Sequence, residues 1–170
     1  MGCKMTKKLV ILGAGGYGNT VKDVAEQLWY EIIQLDDADP LHPLSSFIDF
    51  VREGVEFILA FGNNEFRLSW IDKLQTSGAT LATLIHPTAY VSPRAKIEEG
   101  VVILPHAIVN TDTIIGKGCI INLGSLIDHG CIIEEGCHIC LGAIVKGENR
   151  IERLSKIEAG EVIEVRKYPV

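Results

Sequence analysis

From Ile85 to Ile163 every sixth residue is Ile or Val: Ile85, Val91, Ile97, Ile103, Val109, Ile115, Ile121, Ile127, Ile133, Ile139, Val145, Ile151, Ile157 and Ile163. A period of six fits neither the repeat of an amphipathic helix nor the two-residue alternation of a half-buried strand. It is the period of a solenoid of hexapeptide repeats, a parallel β-helix in which each hexad forms one flat side of a triangular coil. Two residues before the aliphatic stands a small one, at Ala89, Ala95, Ala107, Thr113, Cys119, Ser125, Cys131, Cys137 and Ala143. Three residues after it Gly recurs, at Gly100, Gly118, Gly124, Gly130, Gly136 and Gly142. The β-branched residue is expected to point inward, the small one to pack near a corner, and Gly to permit the turn. Three hexads close one coil, so the fourteen repeats predict between four and five coils, paired as parallel strands about 4.8 Å apart.

The Gly position is lost after Gly142, where Glu148 and Leu154 replace it, and Gly160 restores it. The Ile register continues to Ile163, so the coil is expected to run on with a charged surface. Glu148, Arg150, Glu152, Arg153, Lys156, Glu158 and Glu161 read as a solubilising cap on the open sheet end. Of the five cysteines, Cys119, Cys131 and Cys137 occupy the small-residue position and are expected to be buried packing residues. Cys137 and Cys140 also spell C-x-x-C, a pattern open to zinc or redox chemistry. The repeat already accounts for Cys137, and no metal is expected.

Residues 7 to 80 follow another pattern. Lys8 to Leu12 reads as a strand, Gly13-Ala14-Gly15-Gly16-Tyr17-Gly18 as a turn, and Asn19 to Leu28 as a helix. Glu31 to Leu35 is a second strand ending at Asp36-Asp37, Phe47 to Arg52 a short helix or turn, Val55 to Phe61 a third strand, and Glu65 to Gln75 a second helix. This β-α-β order predicts a small parallel sheet with flanking helices. Only three strands fit before the solenoid, half of a full dinucleotide fold. Gly13, Gly15 and Gly18 match G-x-G-x-x-G between a strand and a helix, with an acid following at Asp36. Such a turn lets backbone amides approach phosphate at a helix N-terminus, and the small sheet has room for one nucleotide rather than two.

A net charge of −6 argues against a dedicated nucleic-acid binder. No apolar stretch is long enough to span a bilayer. The opening MGCKMTKKLVILG leads straight into the Gly-rich turn and reads as a first strand rather than a signal peptide. Met1 to Thr6 also fits the short myristoylation pattern M-G-x-x-x-[ST]. The default expectation is a cytoplasmic protein without nucleic-acid or membrane partners.

The G-x-G-G-x-G turn, then G-N-N-E-x-R at Gly62 to Arg67, then I-H-P-T-A-x-V-S-P-x-A opening the hexapeptide run form a combination spread over most of residues 8 to 147. It resembles the sugar acetyltransferases typified by bacterial PglD and NeuD. The resemblance implies an α/β Rossmann-like half-domain, residues 1–82, followed by a left-handed parallel β-helix of hexapeptide repeats, residues 83–170. It implies transfer of acetyl from acetyl-CoA to a nucleotide-linked amino sugar or a sialic-acid-type sugar, in a homotrimer with acetyl-CoA in the groove between neighbouring solenoids. By position His129 matches the general base, Asp128 the acid beside it, and Asn122 a polar residue near that base. Imidazole suits the role because its pKa lies near working pH. His138 matches a residue contacting the acetyl-CoA end, and Gly142 with Ala143 a thioester-contacting segment able to donate to the developing oxyanion. Gly13, Gly16, Tyr17 and Gly18, Asp36 with Asp37, and Asn63 with Asn64 match the nucleotide-sugar site. Relatives commonly carry an acid directly after the base, where this chain has Gly130, and continue with several more Gly- and Ala-rich hexads. The alternative is a degenerate family member that binds a nucleotide sugar, or serves as a trimeric scaffold, without acyl transfer.

Overall fold

The computed structural model describes residues 7–28 and 30–170; the Met1–Thr6 acylation-like pattern lies outside the described residues. The chain first lays down β1 (Lys7–Leu12), α1 (Gly16–Gln27), β2 (Tyr30–Leu35), a 3-10 helix (Leu44–Phe50), β3 (Val55–Leu59), α2 (Asn64–Thr76) and β4 (Thr80–Leu81). The four strands pair in parallel in the order β2-β1-β3-β4. The fourth strand corrects the expectation of three. Two residues leave no readable pattern, but Thr80 and Leu81 pair with Glu56 and Phe57.

Alternation along β1 sorts its side chains between two layers. Leu9 and Ile11 pack with Val21, Val24 and Ala25 of α1, and Val10 and Leu12 with Leu68, Ile71 and Leu74 of α2. Asn63 starts α2 by accepting from the Phe66 N–H at 2.8 Å, a cap worth about 1 kcal/mol.

From Leu84 the chain winds into two-residue strands arranged in three parallel sheets. The first face carries β5 (Leu84–Ile85), β8 (Val102–Ile103), β11 (Ile120–Ile121), β14 (His138–Ile139) and β17 (Lys156–Ile157). The second carries β6 (Tyr90–Val91), β9 (Ile108–Val109), β12 (Leu126–Ile127), β15 (Ile144–Val145) and β18 (Val162–Ile163). The third carries β7 (Lys96–Ile97), β10 (Ile114–Ile115), β13 (Ile132–Ile133) and β16 (Arg150–Ile151). Residues one coil apart stand over one another, as Ile121 over Ile139. The periodic aliphatics and the small residues fill the interior together. Each fully buried Ile or Val contributes about 1.5–3 kcal/mol.

The turn geometry outlasts the glycines. His106, Glu148 and Leu154 adopt φ of 60°, 58° and 63°, the left-handed conformation that Gly supplies elsewhere. Each costs about 1–2 kcal/mol, a cost the surrounding ladder over-determines.

α2 lies along the corner between the third and first faces. A Cβ on Gly118 would run into Ile71 Cδ1, and one on Gly136 would stand 2.7 Å from Leu68 Cδ1. Arg67 joins the layers there. It is 1% exposed; its Nε donates to Gly118 O at 2.7 Å, Nη1 to Phe61 O at 2.9 Å, and Nη2 to Gly136 O at 2.9 Å and Asn64 Oδ1 at 2.8 Å. Burial lowers its pKa. The charge is met by carbonyl dipoles.

Candidate active site

His129 sits on the corner between the second and third faces, just after β12. Asp128 Oδ1 stands 3.0 Å from His129 Nδ1 and accepts from the His129 N–H at 2.7 Å. The acid side chain therefore reaches the ring although the two residues are adjacent. Asn110, one coil earlier, donates to the same Asp128 oxygen at 3.0 Å. Burial pushes the Asp128 carboxyl upward, but the hydrogen bonds from His129 and Asn110 outweigh it and hold the group below its ordinary value. The Asp128 hydrogen bond first, and its charge second, raise His129 above the usual imidazole value. An ionised Asp128 only accepts, so neutral His129 carries its proton on Nδ1 and leaves Nε2 free to take another. One coil later, Glu148 pairs with Arg166.

His138 lies on the first face, in β14. Asn122 Oδ1 accepts from the Leu123 N–H at 2.8 Å, which turns Asn122 Nδ2 toward His138 Nε2 at 2.9 Å. Asn122 is thus placed against His138 and not against His129, the partner expected from the sequence. Seven residues carry the chain from one prism corner to the next, so nearness along the chain did not become contact. His138 Nδ1 is buried without a partner. Burial first, then the Arg67 and Lys156 charges, lower its pKa to about 4. His138 is neutral at physiological pH, with an unused N–H on Nδ1.

Gly142 and Ala143 are also corrected as oxyanion donors. The Gly142 N–H donates to Leu123 O at 2.9 Å and the Ala143 N–H to Cys140 O at 3.1 Å. What remains is shape, since nothing lies within 4 Å of where a Gly142 Cβ would stand.

On the N-terminal sheet the glycines divide by role. Gly13 has φ of +113°, and a Cβ there would stand 2.9 Å from Ala60 O; a Cβ on Gly18 would strike Gly13 O. Both are demanded by packing. Gly15 and Gly16 face open space. Asp36 accepts from the Ala14 N–H at 2.7 Å and the Ala38 N–H at 2.9 Å, and these bonds lower its pKa. Asp37 accepts from the Leu44 N–H at 2.9 Å. Tyr17 is half-buried, and its hydroxyl is enclosed without a partner. Burial drives its pKa upward. Asn64 is fully engaged at the layer junction, donating to Leu154 O at 2.9 Å and accepting from Arg67.

Two groupings emerge. Asp128, His129, Asn110 and Gly147 meet at one corner. His138, Asn122, Arg67 and Tyr17 gather where the first face meets the N-terminal sheet. Sequence reasoning missed Asn110, Gly147 and the role of Arg67; an offset of eighteen residues from His129 or Asp128 points to the first two. Among the described residues, no three His, Cys, Asp or Glu side chains converge on a metal position, and no helix is long and apolar enough to cross a membrane.

Residues 8–74 match the PglD N-terminal domain family. The acetyltransferase domain of PglB from Neisseria gonorrhoeae FA1090, solved with acetyl coenzyme A, is 32% identical with a TM-score of 0.88, over 95% of this chain and 84% of that one. PerB from Caulobacter crescentus, solved with CoA and GDP-perosamine, is 26% identical with a TM-score of 0.78, over 95% of this chain and 90% of that one. WeeI from Acinetobacter baumannii AYE shares the fold at 22% identity, with a TM-score of 0.84 over 94% of this chain and 81% of that one.

Proposed function

The chain belongs to the PglD/NeuD-like family of sugar acetyltransferases, and from that premise we propose how its residues divide the work of moving acetyl from acetyl-CoA to an amino sugar. His129 Nε2 takes the proton from the attacking sugar amine. The amine nitrogen bonds to the thioester carbonyl carbon, the carbonyl oxygen gains the negative charge, and collapse expels the CoA thiolate, which receives the proton held by His129. No covalent enzyme intermediate is required. The contact between Asp128 and His129 carries this reading, because it leaves the correct ring nitrogen free and raises its basicity. His138, neutral at working pH, is assigned to the acetyl-CoA end by its matched position, and the bare corner at Gly142 leaves room for the thiol arm.

The nucleotide sugar lies along the Gly13–Gly18 turn. The open faces of Gly15 and Gly16 receive it, and Asp36, Asp37 and Tyr17 border it, while Asn64 is held at the layer junction instead. A nucleoside diphosphate fits because PerB, of the same fold, was solved with GDP-perosamine.

The working form is a homotrimer. The outward residues of the second face, Tyr90, Ile108, Leu126, Ile144 and Val162, make a continuous apolar ladder, with Tyr90 54% exposed. Such a stripe is suited to burial against another copy. The free thiols of Cys119, Cys131, Cys137 and Cys140 match a reducing, cytoplasmic setting. Release of CoA from acetyl-CoA in the presence of amino-sugar nucleotides tests the assignment. His129→Ala is expected to lower turnover by about two to four orders of magnitude with acetyl-CoA affinity retained, and near-normal turnover would overturn the choice of base.

A further inference from the structure

We propose that Gly147 is a positioning residue for His129, holding the imidazole in place by the absence of its own side chain. The proposal rests on the reading of His129 as the base. Gly147 stands one coil beyond His129, and the two corners are tied by the Glu148 N–H donating to His129 O at 3.0 Å. A Cβ at position 147 would stand 2.6 Å from His129 Cε1, 3.0 Å from Nε2 and 3.1 Å from Nδ1. The ring occupies the volume a methyl group would fill.

Nothing else at this position asks for glycine. Gly147 is outside the set of glycines with positive φ, whereas Gly130 and Gly142 have φ of 63° and 62°. Its backbone suits any L-residue. The equivalent corner position in the other coils holds Pro93, Thr111, His129 and Val165, so the coil accepts side chains there. The space is reserved only where the imidazole of the preceding coil lies on it. Asp128 grips the ring edge through Nδ1 and Gly147 receives the ring's inner side. The half-exposed ring keeps its outer side for substrate. A methyl group at 147 swings the imidazole outward and breaks its contact with Asp128. The neighbouring coils and both backbones can stay in place, because the clash falls on a side chain.

The test is Gly147→Ala in the full chain, read by nitrogen-15 histidine NMR and steady-state kinetics together. Asp128, Glu148 and Arg166 are the charged groups acting on His129. Only the Asp128 contact is expected to be lost, so the His129 titration midpoint should fall to that of Asp128→Asn. Turnover should fall by about tenfold to a hundredfold, as for a reacting group displaced by an ångström, with KM for acetyl-CoA within about twofold. An unmoved midpoint and unchanged turnover overturn the proposal. The wild-type protein gives a second readout should the variant fail to fold. The Gly147 α-protons should be shifted by the ring current of His129 relative to His129→Ala, and identical shifts in the two proteins overturn the proposal as well. Full turnover in His129→Ala, with the titration shift of Gly147→Ala intact, sinks the base reading and with it any catalytic consequence of Gly147, while leaving the ring placement measured.

Discussion

Asn122 donates its side-chain N–H to His138 Nε2 at 2.9 Å, and this bond fixes which nitrogen of a half-buried imidazole carries the proton. Because Asn122 Oδ1 is occupied by the Leu123 N–H, the amide cannot turn round and His138 keeps its proton on Nδ1. Asn122→Ala frees both tautomers. The loss of one oriented bond, about 1 kcal/mol, should raise KM for acetyl-CoA about fivefold to tenfold. The His138 midpoint, near pH 4 in the folded protein, should stay far below that of an exposed imidazole. An unfolded chain takes up a proton that folded His138 refuses, so stability from this group is lost as pH falls from about 6.5 toward 4. A His138 titration above pH 6 would contradict the assignment.

Turnover should rise with pH through the raised pKa of His129, since only the neutral ring accepts a proton. Asp128→Asn weakens the hydrogen bond and removes the charge that are the two largest causes of that rise, leaving the smaller effect of Glu148. The acidic limb of the kcat/KM profile should move to lower pH and the plateau should drop by about tenfold or more. In folding terms the pair works within a window. The contribution from the raised His129 is complete below the ordinary histidine value and is lost as pH climbs through the raised one. That from the lowered Asp128 is lost as pH falls through its depressed value. An acidic limb that stays in place would show that Asp128 does not set the base.

Arg67→Met should destabilise the junction between the layers. Phe61 O, Gly118 O and Gly136 O lose a charged donor. With each of these three buried groups costing about 1–3 kcal/mol once unsatisfied, the melting temperature should fall by at least about 6 °C. Arg67→Lys should rescue little, because one ammonium cannot span the positions of a planar fork. A melt within about 2 °C of wild type would show that the junction does not depend on these bonds.

Leu126→Glu places a charge in the middle of the apolar ladder on the second face. Light scattering should find a smaller species, and turnover should fall with it. An intact trimer with full activity would rule out this face as the interface.

The solenoid was legible because one inward residue type recurs fourteen times, more than local turn chemistry can disguise. The Glu148 and Leu154 turns show the limit of that reading: the backbone keeps its conformation where the residue favouring it is gone. Asp128 and His129 were legible as a pair because they adjoin. Asn122 with His138 was not, since the first-face strand and the turn before the second face meet only after a full coil. Arg67 was visible within G-N-N-E-x-R, yet nothing local says that its guanidinium reaches carbonyls 51 and 69 residues away.

His129 and His138 are nine residues apart, half of one coil, which puts them on different sides of the prism. If both act on one thioester, no subunit owns a complete site. Mixing His129→Ala chains with His138→Ala chains would then regenerate some wild-type sites from two inactive parents. The enzyme would behave genetically as a ring of shared halves, in which a lesion in one copy is felt by its neighbour.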